Sequence, residues 1–343
     1  MPQKATVRAR APLRVSFGGG GTDVPPYATE HGGCVLSTTI DRATYCTVKP
    51  REDRTIRVKS LDLDILADFS AGEKFRYDGN MDLAKVALNH FDLGDGADIM
   101  IHSDAPPGSG LGSSSALLVA MITALAELKG VHMSGYEVAE LAIKMERDEL
   151  KIPGGWQDQY AAAFGGFNWI EFSKEGTLVE PMRLHRSVRE ELEYRSILVY
   201  VGRTRLSANI LNEQIAESAK PKGTVKDALD ATKRIAHDMK RAILKADWQR
   251  WGELLHEGWT HKKNFSSKIT DPQIDALYEA ARKAGAQGGK LLGAGGGGFL
   301  YLFCDYERKH EVTRELRRHG GEPVGFALDM DGARAWRVRE ERA

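Results

Sequence analysis

The sequence predicts an α+β protein of two units in which helices lie on antiparallel strands. Two observations carry the prediction. β-branched and aromatic runs separated by turn residues fill the opening of the chain, and long helical patterns surround two strand patterns in its second half. Glycine-rich junctions between elements are the third feature, and they carry the function.

In order, Val7 to Phe17, Cys34 to Val48 and Thr55 to Leu61 read as strands, with turn chemistry at Gly18 to Gly21, His31 to Gly33 and Pro50 to Asp53. Ile99 to Asp104 reads as a buried strand. Ala116 to Leu128 has no charge before Glu127, which predicts a helix buried on all sides. Helices over Ser134 to Leu150 and Trp156 to Phe164 follow, the second ended by Gly165-Gly166 before a strand at Phe167 to Phe172. The charged, turn-rich stretch from Ser173 to Glu193 is the best domain boundary, dividing 1–180 from 181–343. Beyond it come a strand at Arg195 to Val201 and helical patterns at Ser207 to Ala219, Lys226 to Phe265 and Pro272 to Ala284, with a short loop at Lys220 to Gly223. Strands at Lys290 to Cys304 and Pro323 to Met330 bracket a helix at Tyr306 to His319.

The chain has 343 residues, enough for two ordinary domains. Lys and Arg equal Asp and Glu at 48 each, so no overall field recruits nucleic acid or an anionic membrane. No stretch approaches the ~18 apolar residues of a membrane span, and the charged start is followed by no apolar run. Cys34, Cys46 and Cys304 are odd in number and lack CxxC spacing, which predicts reduced thiols and a cytoplasmic protein. His256 and His261 stand five apart and so do not form the helical metal pair of a zincin. Oligomeric state is open, a homodimer included.

The segment Pro106 to Ala116, PPGSGLGSSSA, joins the Ile99 strand to the Ala116 helix. Gly108, Gly110 and Gly112 allow close backbone approach, and Ser113, Ser114 and Ser115 stand where first-turn N–H groups lack helical partners. Those groups and the helix dipole favour a polyphosphate. The plain alternative is a glycine turn with a serine cap. The loop is neither a P-loop, lacking Gly-Lys-Ser/Thr, nor a dinucleotide fingerprint, since Ser113 occupies the third glycine position.

Three more segments combine with it. Arg10 to Tyr27 delivers Arg14 and a four-glycine turn before Thr22 and Asp23; Met145 to Tyr160 sets Glu146 and Asp158 on either side of a Pro-Gly-Gly break; Lys290 to Phe299 holds a second glycine run, which predicts close approach of a ligand or another loop. Singly, Arg14 could pair with a surface acid, Glu146 could lie on a solvated face and Gly295 to Gly298 could be a β-bulge. Jointly they fit phosphoryl transfer, which needs a nucleotide cradle, oxygen ligands for Mg²⁺, a carboxylate for the accepting hydroxyl and a cation against developing charge.

These segments, in this order, resemble the motifs of the GHMP kinases over essentially the whole chain, the middle one being highly specific. RAPLRVSFGGGGTDVPPY, VGRTRLSANIL and HKKNFSSKIT further resemble the sugar-kinase branch that phosphorylates the anomeric hydroxyl of D-glycero-D-manno-heptose 7-phosphate. The resemblance implies a two-domain fold, the first domain like domain 2 of ribosomal protein S5 and the second ferredoxin-like, with the site between them. It implies ATP and Mg²⁺: ATP at Pro107, Gly108, Ser109, Gly110, Leu111, Gly112, Ser113 and Ser115, and the metal at Ser114 and Glu146. Asp158 and Arg14 become the catalytic pair. Asp23 grips sugar hydroxyls, with Gly20, Gly21, Thr22, Gly155, Asp158, Gly295 and Gly296 on the acceptor side. Galactokinase has Glu-His where this chain has Gly20-Gly21, which argues against galactose and leaves extra room. A 7-phosphate needs cations, expected at Arg203 and Arg205 or at Lys262 and Lys263. Rival readings are another acceptor (fucose, galactose, a uronic acid or unphosphorylated heptose) or a non-catalytic sugar and ATP sensor; the intact Asp158, Glu146 and Arg14 favour the enzyme.

Overall fold

The computed structural model describes residues 5–202, 207–218 and 223–338. In chain order these form β1 (Thr6–Gly18), α1 (Tyr27–His31), β2 (Gly33–Pro50), β3 (Thr55–Ser60), β4 (Ile65–Ser70), α2 (Asp82–Phe91), β5 (Ala97–Ser103), α3 (Ser113–Lys129) and α4 (Gly135–Ile143). A π-helical turn (Lys144–Glu149) leads to α5 (Gln157–Phe164), β6 (Phe167–Ser173), β7 (Gly176–Pro181), α6 (Arg186–Arg195) and β8 (Ser196–Tyr200). Then come α7 (Ser207–Ser218), α8 (Thr224–Leu244), α9 (Trp248–Lys262), α10 (Pro272–Ala284), β9 (Ala286–Leu291), β10 (Phe299–Cys304), α11 (Tyr306–Arg318), β11 (Glu322–Val324), β12 (Leu328–Asp329) and β13 (Arg334–Val338).

The strands make two sheets. The larger runs β13-β1-β2-β5-β3-β4, with β6 and β12 also on β2 and β7 on β6; the smaller runs β11-β8-β10-β9. Pairing is antiparallel except between β3 and β5. β1 and β2 are buried along most of their length because both faces are covered. One core joins Leu13, Val15 and Leu36 of these strands to Leu118 and Met121 of α3 and to Met239 and Trp251 of α8 and α9. α8 and α9 therefore pack the second half against the first and fix the cleft between them. α3 is buried nearly all round, as its uncharged sequence predicts.

Five expectations need correcting. β5 is one-faced, with Met100 41% exposed, because its other side faces solvent. The Lys226 to Phe265 pattern breaks at Ala246, which has φ 52°, and Asp247 caps the new helix through Arg250 N. Lys290 to Cys304 is a hairpin, since its glycines turn the chain between β9 and β10. Pro323 to Met330 is split: β11 joins the smaller sheet, whereas β12 pairs with β2 of the larger one. Residues 328–338 thus return to the first sheet, although they lie beyond the boundary expected at 180/181. Ser173 to Glu193 is also more ordered than its charge predicts, supplying β7 and most of α6. β4 and α2 also went unanticipated; β4 exposes Leu66, Asp68 and Ser70, whereas α2 is buried from Ala84 to Leu88.

Candidate active site

The PPGSGLGSSSA loop reaches α3 through three left-handed glycines, Gly108, Gly110 and Gly112, with φ of 73°, 82° and 78°. Gly112 is the N-cap of α3, and no side chain caps the helix, so its positive end opens on the cleft. β1 fixes the loop from beneath: Arg14 N donates to Leu111 O at 3.0 Å and Arg14 Nη1 to Gly110 O at 2.5 Å.

Asp158, in the first turn of α5, faces that loop. Arg14 donates to its Oδ1 from Nε at 2.8 Å and lies 2.7 Å away through Nη2. Arg14 is 4% exposed, so it holds the carboxylate from the protein side, while the Asp158 side chain keeps 23% exposure toward the cleft. A Cβ on Gly112 would stand 3.2 Å from Asp158 Cγ, so that glycine makes room for the carboxylate.

Glu146 lies on the π-helical turn, a local widening in which Leu150 N donates to Met145 O. Its carboxylate is buried, accepting from Ser115 Oγ at 2.7 Å, Ser114 Oγ at 3.3 Å and Gln159 Nε2 at 2.5 Å; the nearest cation, Arg147, is 3.8 Å away. Ser115 and Gln159 share Oε2, while Oε1 meets Ser114, which is exposed to the cleft. A buried carboxylate with one oxygen toward an exposed hydroxyl fits a hard cation. Among the described residues no three His, Cys, Asp or Glu form a group that could hold a metal ion by themselves, so a metal here would complete its shell with phosphate or water oxygens.

At the cleft's other end Asp23, 1% exposed, accepts from Gly21 N at 2.9 Å, Gln157 N at 3.2 Å and Gln157 Nε2 at 3.0 Å. Burial raises its pKa and the nearby Asp158 charge adds to the rise. A Cβ on Gly155 would fall 1.9 Å from Asp23 Oδ2, so only glycine fits there. Lys262 and Lys290 are buried at the same end. Lys262 Nζ donates to Leu291 O and Gly293 O, both at 2.6 Å, and Lys290 Nζ to Phe17 O at 3.3 Å. Burial lowers both ammonium pKa values, that of Lys290 to about 8.

The cleft is lined by Arg14, Gly20, Gly21, Asp23, Gly108, Gly110, Gly112, Ser113, Ser114, Ser115, Glu146, Gly155, Asp158, Lys262 and Gly295, all singled out by sequence. Others do not line it. Pro107 lies outside, Ser109 gives its carbonyl to Phe299 N, and Leu111 is core. Thr22 spends its hydroxyl on Gly19 O and on the Cys34 backbone. Gly296 bonds through its N to Ile269 O. Lys263 turns away to Asp275 and the Trp259 ring. Arg203 and Arg205 lie outside the described residues. Sequence reasoning missed Gln157 and Gln159, which flank Asp158 and are aimed at Asp23 and Glu146, and it quoted Lys290 only as the start of a loop. The WQDQY alternation of amides around the aspartate was the available signal.

An uncapped helix N-terminus, an ion-paired carboxylate beside it and a buried polar pocket beyond define a phosphotransferase acting on a small molecule. Residues 81–166 match the GHMP kinases N terminal domain and residues 239–322 the GHMP kinases C terminal domain. A D-glycero-alpha-D-manno-heptose 7-phosphate kinase of Campylobacter jejuni is 35% identical over 97% of this chain and 99% of its own. The chain belongs to the GHMP kinases and is an ATP-dependent kinase. A solved D-glycero-D-manno-heptose 1-phosphate kinase of Bacteroides thetaiotaomicron superposes with a TM-score of 0.82 at 32% identity, covering 97% of this chain and all (100%) of that one. A Lactococcus lactis galactokinase with galactose shares the fold, at TM-score 0.78 and 20% identity over 98% of this chain and 96% of that one. No described helix is long and apolar enough to cross a membrane.

Proposed function

We propose that the enzyme transfers the γ-phosphoryl group of ATP to the anomeric hydroxyl of D-glycero-D-manno-heptose 7-phosphate, giving a 1,7-bisphosphate for activated-heptose and surface-polysaccharide synthesis. The observation that carries the reading is Asp158, fixed by Arg14 in the cleft that holds both the α3 N-terminus and the pocket of Asp23 and Gln157. The likeness to heptose phosphate kinases supports the acceptor.

In this reading the first turn of α3 receives the nucleotide phosphates, and Asp158 takes the proton of the accepting hydroxyl. Arg14 both aims that carboxylate and offsets charge on the phosphoryl group in flight. Ser114 and Glu146 would hold Mg²⁺, which neutralises the β- and γ-phosphates. Gln159 keeps one Glu146 oxygen engaged so that the other faces the cleft. Asp23, fixed by three N–H donors, orients sugar hydroxyls. The free thiols at Cys34, Cys46 and Cys304 support a cytoplasmic setting.

ATP consumption with Mg²⁺, measured over a panel of hexoses, heptoses and their terminal phosphates, tests the proposal. Heptose 7-phosphate should give the highest kcat/KM. A higher value for an unphosphorylated sugar would replace the acceptor, and no turnover with any sugar would favour a sensor.

A further inference from the structure

The acceptor end of the cleft holds polar groups that the transfer chemistry leaves unused. Ser16 Oγ is buried without a hydrogen-bond partner, and Gln157 Nε2, which gives one N–H to Asp23 Oδ1, has a second to offer. Lys290 Nζ, on a residue 7% exposed, has the single Phe17 carbonyl at 3.3 Å among the described residues. A Cβ placed on Gly20 would stand 3.4 Å from Ser16 Oγ, 3.6 Å from Gln157 Nε2 and 3.9 Å from Lys290 Nζ. Donors from β1, α5 and β9 thus converge on one point, and it is open because residue 20 has no side chain.

The charges at this point do not balance. Arg14 is matched by Asp158. The remaining carboxylate, Asp23, faces two ammonium groups, Lys262 and Lys290, and neither has a carboxylate within 4.0 Å among the described residues. A buried unpaired cation is unfavourable, and a neutral hydroxyl would leave it uncompensated, whereas an anion would relieve it. Lys262 spends donors on two carbonyls. Lys290 is the freer of the two.

We propose that Lys290, with the Ser16 hydroxyl and the Gln157 amide, forms the subsite for the acceptor's own phosphate at the opening left by Gly20, and that it makes the enzyme prefer a phosphorylated sugar. The inference rests on the acceptor reading above and deepens it. It replaces Lys263, which points away, as the cation for that phosphate. A phosphate dianion takes up three donors at once, which matches the hydroxyl, amide and ammonium around Gly20.

The test compares heptose 7-phosphate with free heptose in three proteins: wild type, Lys290→Met and Gly20→Ala. Met keeps the stem of Lys290 without its charge. The alanine methyl enters the subsite from a residue that needs no left-handed φ, so it decides the matter even if the buried Met variant fails to fold. Each variant should lower the ratio of kcat/KM for the phosphorylated sugar to that for free heptose roughly tenfold or more, mainly through KM for the phosphorylated sugar, while KM for ATP stays within about twofold, and Lys290→Arg should restore part of the preference. Equal losses on both sugars, or a fall in kcat alone, would assign Lys290 to the transferred phosphoryl group and overturn the subsite. A wild type with no preference for the phosphorylated sugar would instead defeat the acceptor reading, and the subsite with it.

Discussion

Two glycine-rich loops meet in this molecule for different reasons. In the loop before α3, Gly108, Gly110 and Gly112 line the cleft, and Gly112 clears space for Asp158. In the loop between β9 and β10, glycines let two backbones touch: a Cβ on Gly298 would fall 2.2 Å from Ser109 O, and one on Gly293 2.5 Å from Gly110 Cα. Gly293 and Gly295 of the second loop also line the cleft, and a Cβ on Gly110 of the first would fall 2.6 Å from Leu292 O, so the roles divide glycine by glycine: Gly112 clears space for the carboxylate, while Gly110, Gly293 and Gly298 let backbones touch. Glycine content alone does not separate the roles; what a side chain would strike does.

Mutations can break this distinction, and the largest effect belongs to the carboxylate the first loop faces. Asp158→Asn keeps the shape but removes the proton acceptor and the charge paired with Arg14, so kcat should fall roughly 10²–10⁴-fold while ATP binding persists. More than a tenth of wild-type kcat would remove Asp158 from the base role. Gly298→Ala should act on stability instead. Left-handed backbone, φ 88°, and the clash with Ser109 O together cost about 2–5 kcal/mol, read as a lower thermal midpoint with both loops disturbed.

Gly112→Ala sharpens the comparison. It should shift the midpoint less than Gly298→Ala while lowering kcat more, because its methyl meets Asp158 side-chain atoms at 3.2 Å and not backbone. The reverse order would mean that Gly112 and Gly298 have exchanged roles. Glu146→Gln should raise the Mg²⁺ concentration for half-maximal activity, with partial recovery at high metal, since a charged oxygen is the better ligand for a hard cation. An unchanged Mg²⁺ titration would place the metal elsewhere.

The smallest effect is that of pH on the acceptor subsite. Lys290 faces Arg14, Asp23 and Lys262, and burial brings its pKa down to about 8. Raising the pH through 8 removes its proton, so kcat/KM for the phosphorylated sugar should decline between pH 7 and 9.5 relative to that for free heptose. Parallel profiles for the two sugars would leave Lys290 out of phosphate recognition.

Much of this was legible in the sequence. The uncharged run after Ala116 could be little else than a buried helix, and the glycine and serine order before it placed an anion cradle at its start. Pro272 began its helix as expected, after an Asp271 cap. What stayed hidden depended on long-range pairing. Residues 328–338 look like ordinary second-half sequence, and only their partners on β1 and β2 return them to the first sheet. Thr22 next to Asp23 resembled a ligand residue, yet its hydroxyl is spent on backbone. Lys262 and Lys263 are neighbours in sequence, but helix geometry sends one into the cleft and the other to Trp259.

The central claim is that the cleft between the halves transfers phosphate to the anomeric oxygen with Asp158 as proton acceptor. Phosphorus and proton NMR of heptose 7-phosphate incubated with ATP and Mg²⁺ tests it directly. The account predicts a new phosphorus signal coupled to the anomeric proton for the wild-type enzyme and almost none for Asp158→Asn. A new phosphate on any other carbon, or an anomeric phosphate formed equally fast by the variant, would contradict it.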